Sequence, residues 1–298
     1  MSEKASNLNV AGKLYKQMST RFDSDYGALW CCMDPRPRPC FNPDLLAEIG
    51  KFVSAVGLVN KSERDDGPVR FTVLASRSPG VFSLGGDLAL FIQSARAKNR
   101  DALRCYARAC VGIVHSGIVG YGLPVTTISL VQGDAMGGGF EAALCNNVVI
   151  AERRARFGLP EVMFNLFPGM GAYSLLARRV GAVRAEKMVL DGRLYDAAEL
   201  HEMGVVDILA EDGEGEKAVY EYMAQHSRRR NAFQAVLKAR QRVHPITLEE
   251  LTDIADLWVD AAMRLETKDI RLMERLVRAQ DKIAAGTPLR DAAEPSFA

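Results

Sequence analysis

Along the first two-thirds of the chain, short apolar runs alternate with longer stretches in which apolar residues recur every three or four positions. The runs ALWCCMD, VRFTVLAS, VTTISLVQG, NVVIAE and the shorter ARFGLP read as strands. Between them PDLLAEIGKFVSAVG, DALRCYARACVGIVHSGIVGYG and the glycine-led GGGFEAAL carry helical patterns. Strands separated by helices predict βαβ units and an α/β core. Beyond residue 170 the pattern is almost wholly helical, and the acidic, glycine-containing EDGEGEK at 211–217 reads as a linker into a C-terminal helical region. The long helix there has a start signal. Thr247 and Glu250 stand at capping-box spacing two residues after Pro245, and Leu251, Ile254, Leu257 and Trp258 follow at helical intervals. No internal repeat interrupts this order. The expected division is a flexible N-terminus over 1–24, an α/β core over 25–210, a helical region over 217–283 and a flexible tail over 284–298.

With 298 residues, 48% hydrophobic and 25% charged, the chain can bury the core of one large domain, alone or with a smaller terminal one. A formal net charge of +1 argues against a nucleic-acid surface that neutralises many phosphates. The first twenty residues lack the apolar core of a secretory signal, and no run reaches the length of a bilayer span, so a cytoplasmic protein without membrane insertion is expected. Cys31, Cys32, Cys40, Cys105, Cys110 and Cys145 show no metal-ligand pairing and read as reduced, buried thiols. His115, His201, His226 and His244 form no ligand pattern either, and no metal site is expected.

The chemistry concentrates in three stretches. In GDAMGGGFEAAL, residues 133–144, Gly137, Gly138 and Gly139 fall between a strand and a helix start, where several backbone N–H groups lack an intrahelical partner. Such a place holds an anion or a developing oxyanion, although a tight turn packed against the sheet is the simpler explanation of a bare glycine triplet. VFSLGGDLALF, residues 81–91, repeats the arrangement, and one N–H from each turn would grip a thioester carbonyl oxygen. Neither stretch is a phosphate loop or a dinucleotide fingerprint. Glu141 is either a helix-end charge or a catalytic acid. Twenty residues on, RFGLPEVMFNLFPGMGAYS sets Glu161 among Phe157, Val162, Met163, Phe164, Leu166 and Phe167, unusually apolar company for a loop acid. Two carboxylates at an apolar, N–H-lined site suit moving a proton off carbon and handling a hydroxyl or water.

SLGGD at 83–87, GGGFEAALCN at 137–146 and GLPEVMFNLFPGMG at 158–171 resemble the enoyl-CoA hydratase/isomerase (crotonase) superfamily. Within it, LGGDLALF, GGGFEAAL, LPEVMFNLFPGMGAYS and WVDAAMRLETKDIRLMERLVRAQ look most like the bacterial diffusible signal factor synthases, which make cis-2-unsaturated fatty acids for cell–cell signalling; the likeness spans about residues 27–282. The resemblance implies an α/β crotonase-like spiral of ββα turns with a C-terminal helical region, commonly assembled as a trimer and so a homo-oligomer. It places one oxyanion N–H at Leu84, with Gly85 beside it, a second at Gly138, and the two catalytic acids at Glu141 and Glu161. Retention of both acids favours hydration or dehydration chemistry. The implied reaction is dehydration of a 3-hydroxyacyl thioester followed by hydrolysis to the free acid, with no further cofactor. Acyl carrier protein is the implied carrier, ahead of coenzyme A, and a sensor kinase is a further implied partner. Met136, Met170, Trp258 and Leu276, with Gly86 and Gly137, are the candidate lining of an acyl tunnel, though an apolar stripe equally fits plain core. The basic HSRRRNAFQAVLKARQR at 226–242 suits an acidic carrier protein or a solvated helix face. Two alternatives stand beside this reading: a β-oxidation-type hydratase, which would share every catalytic residue, and a catalytically silent regulatory protein of the same fold.

Overall fold

A computed structural model describes residues 15–61 and 67–286. The chain begins with a hairpin, β1 (Met18–Asp23) antiparallel to β2 (Ala28–Met33). α1 (Pro43–Lys61) then crosses to β3 (Phe71–Ser76), which lies parallel to β2. From there a unit repeats. β3 continues into the short β4 (Val81–Ser83) and the helices α2 (Leu88–Arg96) and α3 (Arg100–Ile118). β5 (Thr126–Val131) continues into β6 (Asp134–Met136) and α4 (Gly138–Leu144). β7 (Val148–Glu152) continues into β8 (Arg156–Gly158), a 3₁₀ turn over Pro160–Phe164 and α5 (Ala172–Val180). The first strands of each unit stack in one sheet and the second strands in another, which is a spiral of ββα turns. After α6 (Ala182–Asp191), β9 (Leu194–Asp196) and α7 (Ala197–Glu202), β10 (Ile208–Ala210) closes the larger sheet. Its order is β1-β2-β3-β5-β7-β10, and the smaller sheet runs β4-β6-β8-β9.

β5 and β7 are buried along their whole length because both faces are covered. Ile128, Leu130, Val148 and Ile150 pack with Val219 and Met223 of α8 (Gly215–Ser227) on one face. Val131, Val149 and Ala151 join the larger core on the other. The helical region continues through α9 (Arg230–Val243), α10 (Leu248–Ala262) and α11 (Thr267–Ala284). Among the described residues no helix is long and apolar enough to cross a membrane.

Three boundaries differ from expectation. The segment expected to be flexible up to residue 24 contains β1, an edge strand whose polar residues show little alternation but which pairs with β2 along its whole length, from Met18 opposite Met33 to Asp23 opposite Ala28; residues 1–14 and 287–298 lie outside the described residues. EDGEGEK is a tight joint and no linker. α8 starts inside it at Gly215, which is buried with its N–H donated to Glu152 Oε1 at 3.3 Å, and a Cβ there would stand 2.8 Å from both Glu152 Oε1 and Leu130 Cδ1. β9 and β10 interrupt the helical stretch, and at three residues each they are too short to show a period.

The capping box at α10 is half made. Thr247 Oγ1 accepts the Glu250 N–H at 3.0 Å, while the Glu250 carboxylate turns to Arg178 at 2.8 and 2.9 Å. α10 sends Leu251, Ala255, Trp258 and Val259 inward, and Leu257, off that stripe, is 62% exposed. Cys31, Cys40, Cys110 and Cys145 are buried free thiols, whereas Cys105 is exposed.

Candidate active site

The stretch after β4 is pinned at nearly every backbone group. The Leu84 N–H donates to Pro39 O at 2.7 Å, the Gly85 N–H to Ser83 Oγ at 3.2 Å, and the Phe41 N–H to Gly85 O at 2.8 Å. The Asp87 N–H donates to the Tyr106 hydroxyl at 3.2 Å, which itself donates to Phe41 O at 2.6 Å. Asp87 then caps α2, its Oδ1 accepting from the Ala89 and Leu90 N–H groups. Among the described residues the Gly86 N–H has no acceptor. This corrects the expected donor: Leu84 and Gly85 have spent their N–H groups inside the protein, and Gly86, expected only among the substrate-lining residues, carries the free one. Asp87 was the available signal, because a helix cap places the residue before it at the turn's open end.

The second free N–H is that of Gly138, the first residue of α4, where the helix offers it no acceptor. The two turns meet closely. A Cβ on Gly138 would lie 3.3 Å from Gly86 N, and one on Gly85 would lie 3.1 Å from Gly138 N and 2.8 Å from Met136 O. Each glycine of the triplet now has its own reason. A Cβ on Gly137, which sits at φ +50°, would overlap Glu161 Oε1; Gly138 leaves room beside the two N–H groups; a Cβ on Gly139 would overlap the Ser83 carbonyl.

Glu141 projects from the first turn of α4 and is 2% exposed. Its Oε1 accepts both the Met170 N–H at 2.8 Å and the Ala172 N–H at 2.9 Å, a convergence made possible by Gly171 between them at φ +127°. Burial pushes its carboxyl up to about 7, against the downward pull of those two N–H groups. Glu161 lies in the 3₁₀ turn, its Oε2 buried without a hydrogen-bond partner. Burial first, and then the Glu141 charge, push it up to about 8. Both acids are therefore poised to exchange protons near neutrality.

Both glutamates and both free N–H groups line one cavity of about 550 Å³ whose other walls are almost all apolar. Leu84, Gly85, Gly137, Met136, Met170, Trp258 and Leu276 also line it, so every predicted site residue is brought to the same place. The cavity reaches inward to Ile49, Leu74 and Ile113, between α1, α3 and the sheet, and outward along α11. Sequence reasoning missed Phe91, Tyr106 and Gln280, which come from helix stripes indistinguishable from ordinary core. Among the described residues no group of three or more His, Cys, Asp or Glu side chains stands together as a metal site.

Trp258 is buried, packs edge-on to Phe91 at 4.9 Å and fills the space over Gly169. Trp258→Ala is expected to cost roughly 3–5 kcal/mol of stability. It should also shift the accepted acyl chains toward greater length, read as kcat/KM across a chain-length series; an unchanged preference in the folded variant would leave Trp258 as core alone.

The family described as enoyl-CoA hydratase/isomerase matches residues 40–269. The chain is 27% identical over 266 residues to an enoyl-CoA isomerase/hydratase of Zymoseptoria tritici, covering 88% of this chain and 80% of that protein. It is 30% identical over 198 residues to a probable mitochondrial enoyl-CoA hydratase of Arabidopsis thaliana, covering 66% of this chain and 61% of that protein. Among solved structures, an enoyl-CoA hydratase from Bacillus halodurans aligns with a TM-score of 0.73 at 22% identity, over 87% of this chain and 99% of that one. Pseudomonas aeruginosa DspI aligns with a TM-score of 0.64 at 23% identity, over 82% and 94%. These two structural likenesses are of fold.

Proposed function

The chain belongs to the enoyl-CoA hydratase/isomerase family, and from that premise we propose that it dehydrates a 3-hydroxyacyl thioester on acyl carrier protein and then hydrolyses the 2-enoyl thioester, releasing a cis-2-unsaturated acid that serves as a cell–cell signal. The observation that carries the dehydration step is the glutamate pair, with carboxyls at about 7 and about 8, facing two free N–H groups in one apolar cavity. The resemblance of LGGDLALF, GGGFEAAL and LPEVMFNLFPGMGAYS to the signal factor synthases supports the release step.

The thioester carbonyl oxygen accepts from the Gly86 and Gly138 N–H groups, which stabilise charge arriving on it and so acidify the α-carbon. Between the two titrations the glutamates share one proton. In dehydration the ionised member removes the α-proton, the electron pair moves toward the carbonyl, and its return expels the 3-hydroxyl, which leaves as water with the proton of the other member. Hydration is the reverse. The member that protonated the departing hydroxyl then takes a proton from water, and the other delivers its proton to the α-carbon. For release, a carboxylate takes a proton from water as its oxygen attacks the thioester carbon. The tetrahedral oxyanion uses the same N–H groups, and the thiolate leaves with a proton.

Incubation with a 3-hydroxyacyl-acyl carrier protein, followed by mass spectrometry of acyl chains and free acids, tests the proposal. The expected products are the 2-enoyl thioester and free 2-enoic acid. Reversible hydration of trans-2-enoyl-CoA with no free acid would instead make the protein a hydratase of the β-oxidation type, and no turnover of any thioester would make it a silent binding protein.

A further inference from the structure

α11 forms one long wall of the cavity. Near its start Asp269 Oδ2 accepts Asn165 Nδ2 at 3.2 Å, beside the turn that carries Glu161. At its other end Leu276, Gln280 and Ile283 line the cavity next to Leu84 and Met136. Arg38 ties that end down, pairing with Asp281 at 3.1 Å and with Asp87 at 3.5 Å. Gln280 is only 7% exposed, and its Nε2 donates to Leu84 O at 3.4 Å. A carbonyl can only accept, so this contact sets the orientation of the carboxamide, nitrogen toward Leu84 and oxygen away. Gln280 Oε1 is buried and has no hydrogen-bond partner. Among the described side chains that line the cavity, only Glu161 shares that condition. An unsatisfied buried oxygen is costly and calls for a reason. In the wall of a ligand cavity the reason is a donor that the ligand brings.

The direction of the bound thioester identifies the donor, on the reading of the site proposed above. With the carbonyl oxygen at Gly86 and Gly138 and the α- and β-carbons turned to Glu141 and Glu161, the sulfur points the other way, toward Leu84 and the end of α11. The acyl chain has no N–H. The thiol arm common to acyl carrier protein and coenzyme A has one two carbons beyond the sulfur, in a secondary amide. We propose that Gln280 Oε1 accepts this amide N–H, and that Gln280 thereby recognises the carrier arm in an otherwise apolar wall.

Two thioesters with the same acyl chain test this: one of N-acetylcysteamine, which carries the amide, and one of 5-mercaptopentan-2-one, in which a methylene replaces the N–H. Wild type should hydrate the first with a kcat/KM about tenfold higher, the worth of one neutral hydrogen bond. Gln280→Leu and Gln280→Met should treat the two alike, the ratio of the two kcat/KM values falling from about tenfold to about one. Equal losses on both thioesters in both variants, or a preserved wild-type preference, would overturn the assignment. Wild-type turnover of neither compound would overturn the thioester reading itself, and this inference with it.

Discussion

Glu141→Gln and Glu161→Gln each lower dehydration of a 3-hydroxyacyl thioester by about two to four orders of magnitude, the usual loss when a positioned acid or base is removed. Glutamine preserves shape, and at position 141 its oxygen still accepts the Met170 and Ala172 N–H groups, so the loss reports the missing proton site. Because the two acids act as a unit, the double variant loses far less than the product of the single losses. Stability moves the other way with pH. Both carboxyls titrate above their ordinary 4.5, at about 7 and about 8. From pH 4.5 upward the folded chain retains protons that the unfolded chain has released, so ionising the buried pair destabilises the fold increasingly until pH exceeds both values. Thermal denaturation should therefore show Glu161→Gln no more stable than wild type at about pH 4 and more stable at about pH 9. Variants that fold and dehydrate at wild-type rates would return Glu141 to a helix-end charge and Glu161 to a loop acid.

Gly138→Ala separates the site from the fold. Gly138 is not at positive φ, and a Cβ there meets nothing closer than Gly86 N at 3.3 Å. The melting temperature should change little beside the loss of activity. The new methyl stands in the space where the thioester oxygen must lie between the two N–H groups, so kcat/KM should fall by about 10²–10³. Gly137→Ala and Gly139→Ala are expected to fail differently, by loss of stability, since their Cβ atoms overlap Glu161 and the Ser83 carbonyl. A Gly138→Ala variant with full turnover would remove the oxyanion site from the account.

The central strands were legible because β5 and β7 are buried on both faces and rich in aliphatic and β-branched residues, with Ile128, Leu130 and Val131 in one and Val148, Val149 and Ile150 in the other. β1 was not, since its order comes from pairing with β2 and leaves little trace in its own residues. The glutamates were legible from their company: Glu141 follows a glycine triplet and Glu161 lies among aromatic and aliphatic residues, which is where burial raises an acid. The first N–H donor was misplaced by two residues. Which amide is free depends on where Pro39 O and Ser83 Oγ lie, and Pro39 belongs to a loop more than forty residues earlier in the chain. Gln280 was invisible for a similar reason, one polar position on a helix face whose partner is a backbone carbonyl 196 residues away.

Dehydration needs the Glu141–Glu161 pair singly protonated, one member as base and the other as acid, and the pH dependence of kcat/KM for dehydration tests this most directly. The account predicts a bell with its maximum between about 7 and about 8, where the pair is singly protonated, and each single glutamine variant should lose the bell. A profile flat across this range in wild type, or a bell that survives in both variants, would contradict it.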